Sequence, residues 1–190
     1  NYPHYPDQRA MSIPEFYERM RNGAVAVTAA ANVAELTDGM EVHLRQGKDV
    51  LFLCFSSGLS STRDACAIAA RELQEKYPER KIYTVDTLAA SAGQALLVLL
   101  AGRKQKAGAS IEEARDFVEE TKLHVAHWFT VDDLTYLKRG GRVSPTAAAV
   151  GTMLNIKPVL HVDDEGHLIP MEKVRGRKAA LAALVKQMRE

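Results

Sequence analysis

Two hydrophobic spacings alternate along the first two thirds of the chain. A continuous apolar run at residues 49–55 predicts a buried parallel strand, and residues 24–28 and 81–86 predict two more strands. Between them, apolar residues spaced three or four apart, as at Val33 and Leu36, predict helices. Strands that alternate with helices are typical of a parallel sheet covered by helices on its faces.

The pattern changes near residue 124. The elements predicted beyond it are a strand at 125–131, a short helix ended by Gly140, a helix that begins at Ser144 and Pro145, strands at 155–162 and 168–176, and a helix at 178–189. Adjacent strands joined by a tight turn are antiparallel. We therefore predict an α/β fold, with a parallel-sheet α/β domain at residues 1–125. Part of a smaller α+β domain with an antiparallel hairpin follows at residues 126–190.

Two helix starts are marked by side-chain caps. Ser12 is followed three residues later by Glu15, and Ser110 by Glu113. This is the spacing of a capping box, in which a hydroxyl accepts a backbone N–H at the start of a helix. The first of these helices is expected to end near residue 22 and the second near residue 123.

Composition excludes several function classes. The 190 residues carry a formal net charge of +1, which leaves no basic surplus for nucleic acid or an anionic membrane. The longest apolar helical stretch, residues 95–101, is far shorter than the roughly 20 residues that span a bilayer, so we expect no stable membrane insertion. The only two cysteines, Cys54 and Cys66, fall in predicted buried elements and are expected to be the reduced thiols of a cytoplasmic protein.

A hydroxyl-rich turn follows the buried strand in the stretch LFLCFSSGLSSTRDA. We call residues 55–61 the serine turn. Serine hydrolases of the elbow type require G-x-S-x-G, which Thr62 interrupts, and phosphate-binding glycine motifs and metal-ligand spacings are absent from the sequence. The hydroxyls of Ser57 and Ser60 and the N–H groups that open the next helix could hold an anion together with Thr28, which ends the preceding predicted strand. Alternatively, Ser60 only caps its helix.

Small and aliphatic residues surround the predicted anion site. Residues 89–93 are all small and lie at the start of a predicted helix, and residues 136–160 are rich in small and aliphatic side chains. An apolar slot beside an anion site favours an amphiphile with one carboxylate, such as a fatty acid. The alternative interpretation of residues 89–93 is close packing of a helix on the sheet.

Five long motifs resemble, in order, those of the DegV family of bacterial fatty-acid-binding proteins. They are FSSGLSST, YTVDTLAASAGQ, FTVDDLTYLKRGGRVS, GTMLNIKPVL and KVRGRKAALAAL. The resemblance implies a DegV-like two-domain fold that binds a long-chain fatty acid as its ligand. It also implies a fatty acid kinase as partner, which converts the presented acid to an acyl phosphate. On this interpretation the chain is a carrier, not an enzyme, and needs no cofactor or metal.

The resemblance also assigns site residues. It implies that the hydroxyls of Thr28 and Ser60 and the N–H of Ser61 hold the carboxylate, and that Arg175 faces the kinase. This chain departs from the family pattern at residues 29 and 30, which are alanines in place of serine and glutamine, and at Ser61, which replaces a glycine. We also expect it to lack the family's N-terminal strand and C-terminal segment.

Two other functions stay open at the level of sequence. One is a small serine hydrolase or acyltransferase that uses Ser60 as nucleophile, which requires a base within about 3 Å. The other is an α/β domain that binds a small molecule other than a lipid.

Overall fold

The fold is a mixed α/β arrangement, as the hydrophobic pattern predicts. The computed structural model describes residues 10–144 and 155–189. Its helices are α1 (Ile13–Arg21), α2 (Val33–Leu44), α3 (Thr62–Lys76), α4 (Ser91–Lys106), α5 (Ile111–Thr121), a 3-10 helix (Lys122–His124), α6 (Thr135–Arg139) and α7 (Arg177–Gln187). Its strands are β1 (Val50–Cys54), β2 (Ile82–Asp86), β3 (Trp128–Thr130), β4 (Ile156–Val162) and β5 (Leu168–Arg175).

The five described strands form two sheets. β1 and β2 are parallel, and Cys54 lies opposite Asp86, so the carboxyl ends of both strands lie side by side. β3, β4 and β5 form an antiparallel sheet with a register shift between Val159 and Leu160. The predicted parallel pairing and antiparallel hairpin are both confirmed. In sequence, the parallel sheet precedes residue 125 and the antiparallel sheet follows it. The division into domains at that residue stays a prediction.

Local capping accounts for several helix starts. Ser12 accepts the N–H of Glu15 at 3.3 Å, and Ser110 forms a complete capping box with Glu113. Asn32, which the pattern analysis did not single out, forms a second complete box at the start of α2. Each such side chain satisfies backbone N–H groups that the helix itself leaves without partners.

The core beneath the parallel sheet is made by α2, α3 and the strands. Met40 and Leu73 are among its fully buried side chains, and Cys54 and Cys66 are both buried free thiols, as predicted. A separate cluster, which includes Leu160, lies against the antiparallel sheet. Burial of each large apolar side chain stabilises the fold by about 1.5–3 kcal/mol. These clusters therefore hold together the helices and strands from which the loops extend.

Two sequence predictions differ from the structure. Residues 24–28 were predicted as a strand, but they pair with no described strand, and Val25 and Val27 are 65% and 90% exposed. Apolar alternation produces a strand only where a neighbour supplies the opposite backbone groups. The helix predicted to begin with the small residues 89–93 begins at Ser91, after Leu88, whose positive φ of 49° lies outside the right-handed helical region. The helix predicted after Ser144 lies outside the described residues.

A buried carboxylate joins α2 to α3. The Glu41 side chain is 9% exposed and accepts hydrogen bonds from Tyr77 at 2.9 Å and from Arg45 at 2.7 Å, and it also pairs with Lys76. Hydrogen bonds from Lys76 and then Tyr77 lower the pKa of Glu41 to about 2. The folded state therefore favours the ionised carboxylate more strongly than the unfolded chain does.

We predict that this carboxylate makes stability dependent on acidic pH. The usual pKa is 4.5 and the folded value is about 2. The stabilisation by Glu41 is therefore complete above pH 4.5 and is lost as the pH falls toward 2. Denaturant unfolding at pH 7, 4 and 3 should show wild type losing its advantage over Glu41→Gln as the pH falls. Glu72→Gln, exposed on α3, is the control, and a difference that does not change with pH would contradict the prediction.

Candidate functional site

Ser56 stabilises the serine turn through hydrogen bonds of its backbone and its side chain. This residue is completely buried, and its carbonyl accepts the N–H groups of Leu59 and Ser60, each at 3.1 Å. Its hydroxyl accepts the N–H of Gly58 at 3.1 Å and donates to the carbonyl of Gly166 at 2.9 Å. Gly166 belongs to the turn between β4 and β5, so one side chain joins the serine turn to the second sheet.

The end of the neighbouring parallel strand holds the other side of the serine turn. Asp86, the last residue of β2, accepts the N–H of Ser57 at 3.2 Å and the N–H of Leu88 at 3.1 Å. The N–H of Ser56 donates to the carbonyl of Ala89 at 3.0 Å. The side-by-side strand ends therefore position both loops with backbone and carboxylate hydrogen bonds, as expected at the carboxyl edge of a parallel sheet.

Ser60 and Ser61 lie at the start of α3. The Ser60 Oγ lies 2.8 Å from the Thr62 Oγ1 and accepts the N–H of Thr62 at 3.2 Å. Ser61 is exposed at the N-cap position and makes no side-chain cap hydrogen bond. Its backbone N–H bonds to no other residue in the ranges the structure describes. A half-buried hydroxyl and an unpaired N–H thus stand at the positive end of a 15-residue helix.

Thr28 and Ser60 line the same cavity, which has a volume of about 370 Å³. The other residues around it are Ala29, Ala30, Phe55, Tyr136, Leu137, Gly140 and Arg142. The lining therefore combines polar with apolar side chains, as an amphiphile with one charged end requires. Both residues whose hydroxyls the resemblance assigned to the carboxylate therefore line one cavity, whereas Ser57, whose hydroxyl the sequence pattern also offered to an anion, is exposed and does not line it.

Arg142 is a residue of this cavity that sequence reasoning missed. Its Nε donates to the carbonyl of Leu59 in the serine turn at 3.1 Å, and its Nη1 donates to the carbonyl of Gly140. Its guanidinium is exposed and makes no ion pair within residues 10–144 and 155–189. The motif KRGGR was noted in the sequence, but nothing in its spacing assigned chemistry to its last arginine.

Arg175 lies apart from this cavity. It is exposed at the end of β5, opposite Ile156 in the register, and Lys173 lies opposite Pro158. Because strand side chains alternate, Arg175 and Lys173 share one face of the sheet. Arg175 is therefore a surface residue and does not line the cavity of Thr28 and Ser60.

The small residues at the start of α4 accommodate a side chain of the protein itself. A Cβ atom at Gly93 would lie 1.8 Å from the Cε1 atom of His127, so the imidazole occupies the space that glycine leaves. Burial, and then the nearby His161, lower the pKa of His127. At Gly93 the structure supports the close-packing interpretation of the small residues.

Ser60 has no base beside it in the described ranges. Its hydroxyl partner is Thr62, and no histidine lines the cavity. A nucleophilic serine requires a base within hydrogen-bond reach, so this geometry does not favour the hydrolase alternative.

Within the described ranges, no group of three His, Cys, Asp or Glu residues could hold a metal ion. Among the described helices, none combines the length and the apolar character needed to cross a bilayer.

Sequence comparison identifies related proteins. A family model described as an uncharacterised protein of the DegV family matches residues 3–190. A DegV domain-containing protein of Clostridium perfringens is 46% identical over 173 residues, which are 91% of this chain and 60% of that protein. The chain spans about 60% of the length of the curated relatives it matches.

Solved structures share the fold. A Thermotoga maritima protein described as revealing a fatty acid binding function has a TM-score of 0.81 and is 32% identical, with coverage of 99% of this chain and 63% of that one. A Streptococcus pneumoniae fatty acid kinase B3 protein loaded with linoleic acid has a TM-score of 0.86. The two proteins are 23% identical, and the match covers 95% of this chain and 63% of that protein. At this level of identity the likeness concerns the fold alone.

Proposed function

The chain belongs to the DegV family, and we propose that it binds a long-chain fatty acid and presents the carboxylate to a fatty acid kinase. The observation that carries the proposal is the shared cavity of Thr28 and Ser60, which Arg142 also lines. Fatty acid binding described for the Thermotoga maritima relative supports the choice of ligand. In this proposal the chain is the carrier, and the kinase performs the phosphoryl transfer.

The carboxylate is held by two hydroxyls, one N–H and one guanidinium. Thr28 and Ser60 donate their O–H groups, Ser61 donates its unpaired N–H, and Arg142 supplies a positive charge at the same cavity. Each hydrogen bond to a charged group is worth about 1.5–3 kcal/mol. The dipole of α3 adds to this attraction, because an anion at a helix N-terminus is stabilised by the aligned peptide groups.

The acyl chain supplies most of the affinity. Phe55, Leu137 and the alanines at positions 29 and 30 form the apolar side of the cavity. Each methylene removed from water contributes about 0.8 kcal/mol, so a long chain outweighs the polar contacts of its carboxylate. The polar residues therefore determine the orientation of the ligand, and the apolar side favours a long chain.

The kinase approaches from the surface that carries Arg175. Arg175 and Lys173 are exposed on one face of the antiparallel sheet, away from the cavity. Two cations at alternate strand positions suit contacts with acidic side chains or with the phosphates of a nucleotide held by the partner. The fold shared with a fatty acid kinase B3 protein is compatible with this role.

We predict that removal of the cavity hydroxyls weakens fatty acid binding. Ser60→Ala should lower the affinity for oleate by about tenfold to a hundredfold, because one charge-assisted hydrogen bond is lost. The double change with Thr28→Val should be less than additive, since both hydroxyls serve one anion. Calorimetric titration measures the affinities, and Ser57→Ala, exposed on the same turn, is the control. Unchanged affinity with a lowered melting temperature would show that Ser60 is only a helix cap.

We also predict that Arg142 makes binding dependent on salt. Arg142→Ala should weaken oleate binding by about tenfold, and the variant's affinity should fall less steeply with ionic strength than that of wild type. Arg142→Lys should retain the salt dependence but recover the affinity only in part, because lysine cannot reproduce the donor geometry of a guanidinium. Equal salt slopes for wild type and Arg142→Ala would contradict contact between this residue and the carboxylate.

Arg175 should affect the partner reaction and not the ligand. Arg175→Ala is expected to leave oleate affinity unchanged while it slows phosphorylation of the bound fatty acid by the kinase. Arg103→Ala removes the same charge from an exposed position on α4 and serves as the control. Phosphorylation at equal rates by wild type and Arg175→Ala would exclude this role for the residue.

A further inference from the structure

We infer that Ser56 is a positioning residue of the fatty acid site and that the β4–β5 turn takes part in ligand binding through it. The inference rests on the proposed function. Ser56 does not line the cavity, and its side chain is completely buried. It acts instead on Ser60, whose N–H donates to the Ser56 carbonyl at 3.1 Å.

The serine turn and the β4–β5 turn touch at backbone distance. A Cβ atom at Gly58 would lie 2.7 Å from the carbonyl oxygen of Glu165 and 2.9 Å from that of Gly166. A Cβ at Gly166 would lie 2.0 Å from the Ser56 Oγ, and Gly166 also has a positive φ of 80°. Only residues without side chains permit this approach, so the two glycines and Ser56 form one contact, which we call the glycine–serine latch.

Ser56 satisfies polar groups on both sides of the latch. Its hydroxyl accepts from the Gly58 N–H and donates to the Gly166 carbonyl. Without that hydroxyl, both backbone groups would lose a hydrogen bond in a place largely closed to water, which is costly. The serine turn would then relax toward other partners, and Ser60 would move with the carbonyl that holds its N–H.

The β4–β5 turn is itself a firm support. Asp163 accepts the N–H groups of Glu165 at 3.0 Å and His167 at 2.8 Å through its side chain, and the N–H of Gly166 at 3.0 Å through its carbonyl. The antiparallel sheet therefore positions the serine turn through a preformed loop. Because coupling between two sites is reciprocal, a ligand that orders Ser60 also orders this turn.

The test compares affinity with stability in the full-length protein. Ser56→Ala should weaken oleate binding by about tenfold or more, measured by calorimetry at a temperature where circular dichroism shows the variant fully folded. Ser57→Ala, which changes the adjacent exposed serine, should bind as wild type does. A purely structural serine would lower the melting temperature and leave the affinity of the folded variant unchanged, and that result would overturn the inference.

Hydrogen exchange in the wild-type protein gives a second measurement that needs no variant. Oleate should slow amide exchange at Gly58 and Ser60, and also at Gly166 and His167 in the β4–β5 turn. Slower exchange confined to the serine turn would overturn the inference, even if Ser56→Ala does not fold.

Binding by the other variants separates this inference from the proposed function. If wild type binds oleate and Ser60→Ala weakens the binding while Ser56→Ala does not, the function stands and the positioning role is wrong. If wild type binds no fatty acid, both are wrong.

Discussion

The close backbone contact between the serine turn and the β4–β5 turn is the constraint on which the rest of the site depends. Gly58 and Gly166 allow the two loops to approach, and the buried Ser56 hydroxyl connects them. Together with the hydrogen bond from Arg142 to Leu59, this contact attaches the turn that carries Ser60 to the later part of the chain. The position of the hydroxyl at the start of α3 therefore depends on residues that are distant in sequence.

The paired ends of β1 and β2 and the N-terminus of α3 position the polar groups of the site. The paired ends of β1 and β2 bring Cys54 opposite Asp86, and Asp86 then satisfies N–H groups in both following loops. The Ser60 hydroxyl and the N–H of Ser61 lie at the positive end of α3. A chain with a net charge of only +1 can thus hold an anion with one nearby arginine and oriented backbone groups.

Much of the fold follows from local rules that a sequence displays. The apolar run at 49–55 and the antiparallel pair that ends in β5 were both predictable from spacing, as were the helix starts at Ser12 and Ser110. The failure at residues 24–28 has a physical reason, because apolar alternation becomes a strand only where another strand lies alongside, and these residues pair with none in the described part of the chain. The hydroxyl-rich turn indicated Thr28, Ser60 and the N–H of Ser61 as an anion site, the family motifs assigned them to a carboxylate and added Arg175, and all these roles stay predictions.

The sequence by itself determined the fold class, the order of most elements and the hydroxyl-rich turn, because each depends on residues within a few positions of one another. Only the tertiary structure decided that Arg142 reaches the cavity, that His127 fills the space beside Gly93, and that Ser56 bonds to Gly166 across 110 positions of the chain. Such contacts have no local signal, since they arise when the fold brings together loops that are distant in sequence. The residue types of the site can therefore be predicted from short stretches of sequence, whereas their arrangement depends on contacts between loops that are distant in sequence.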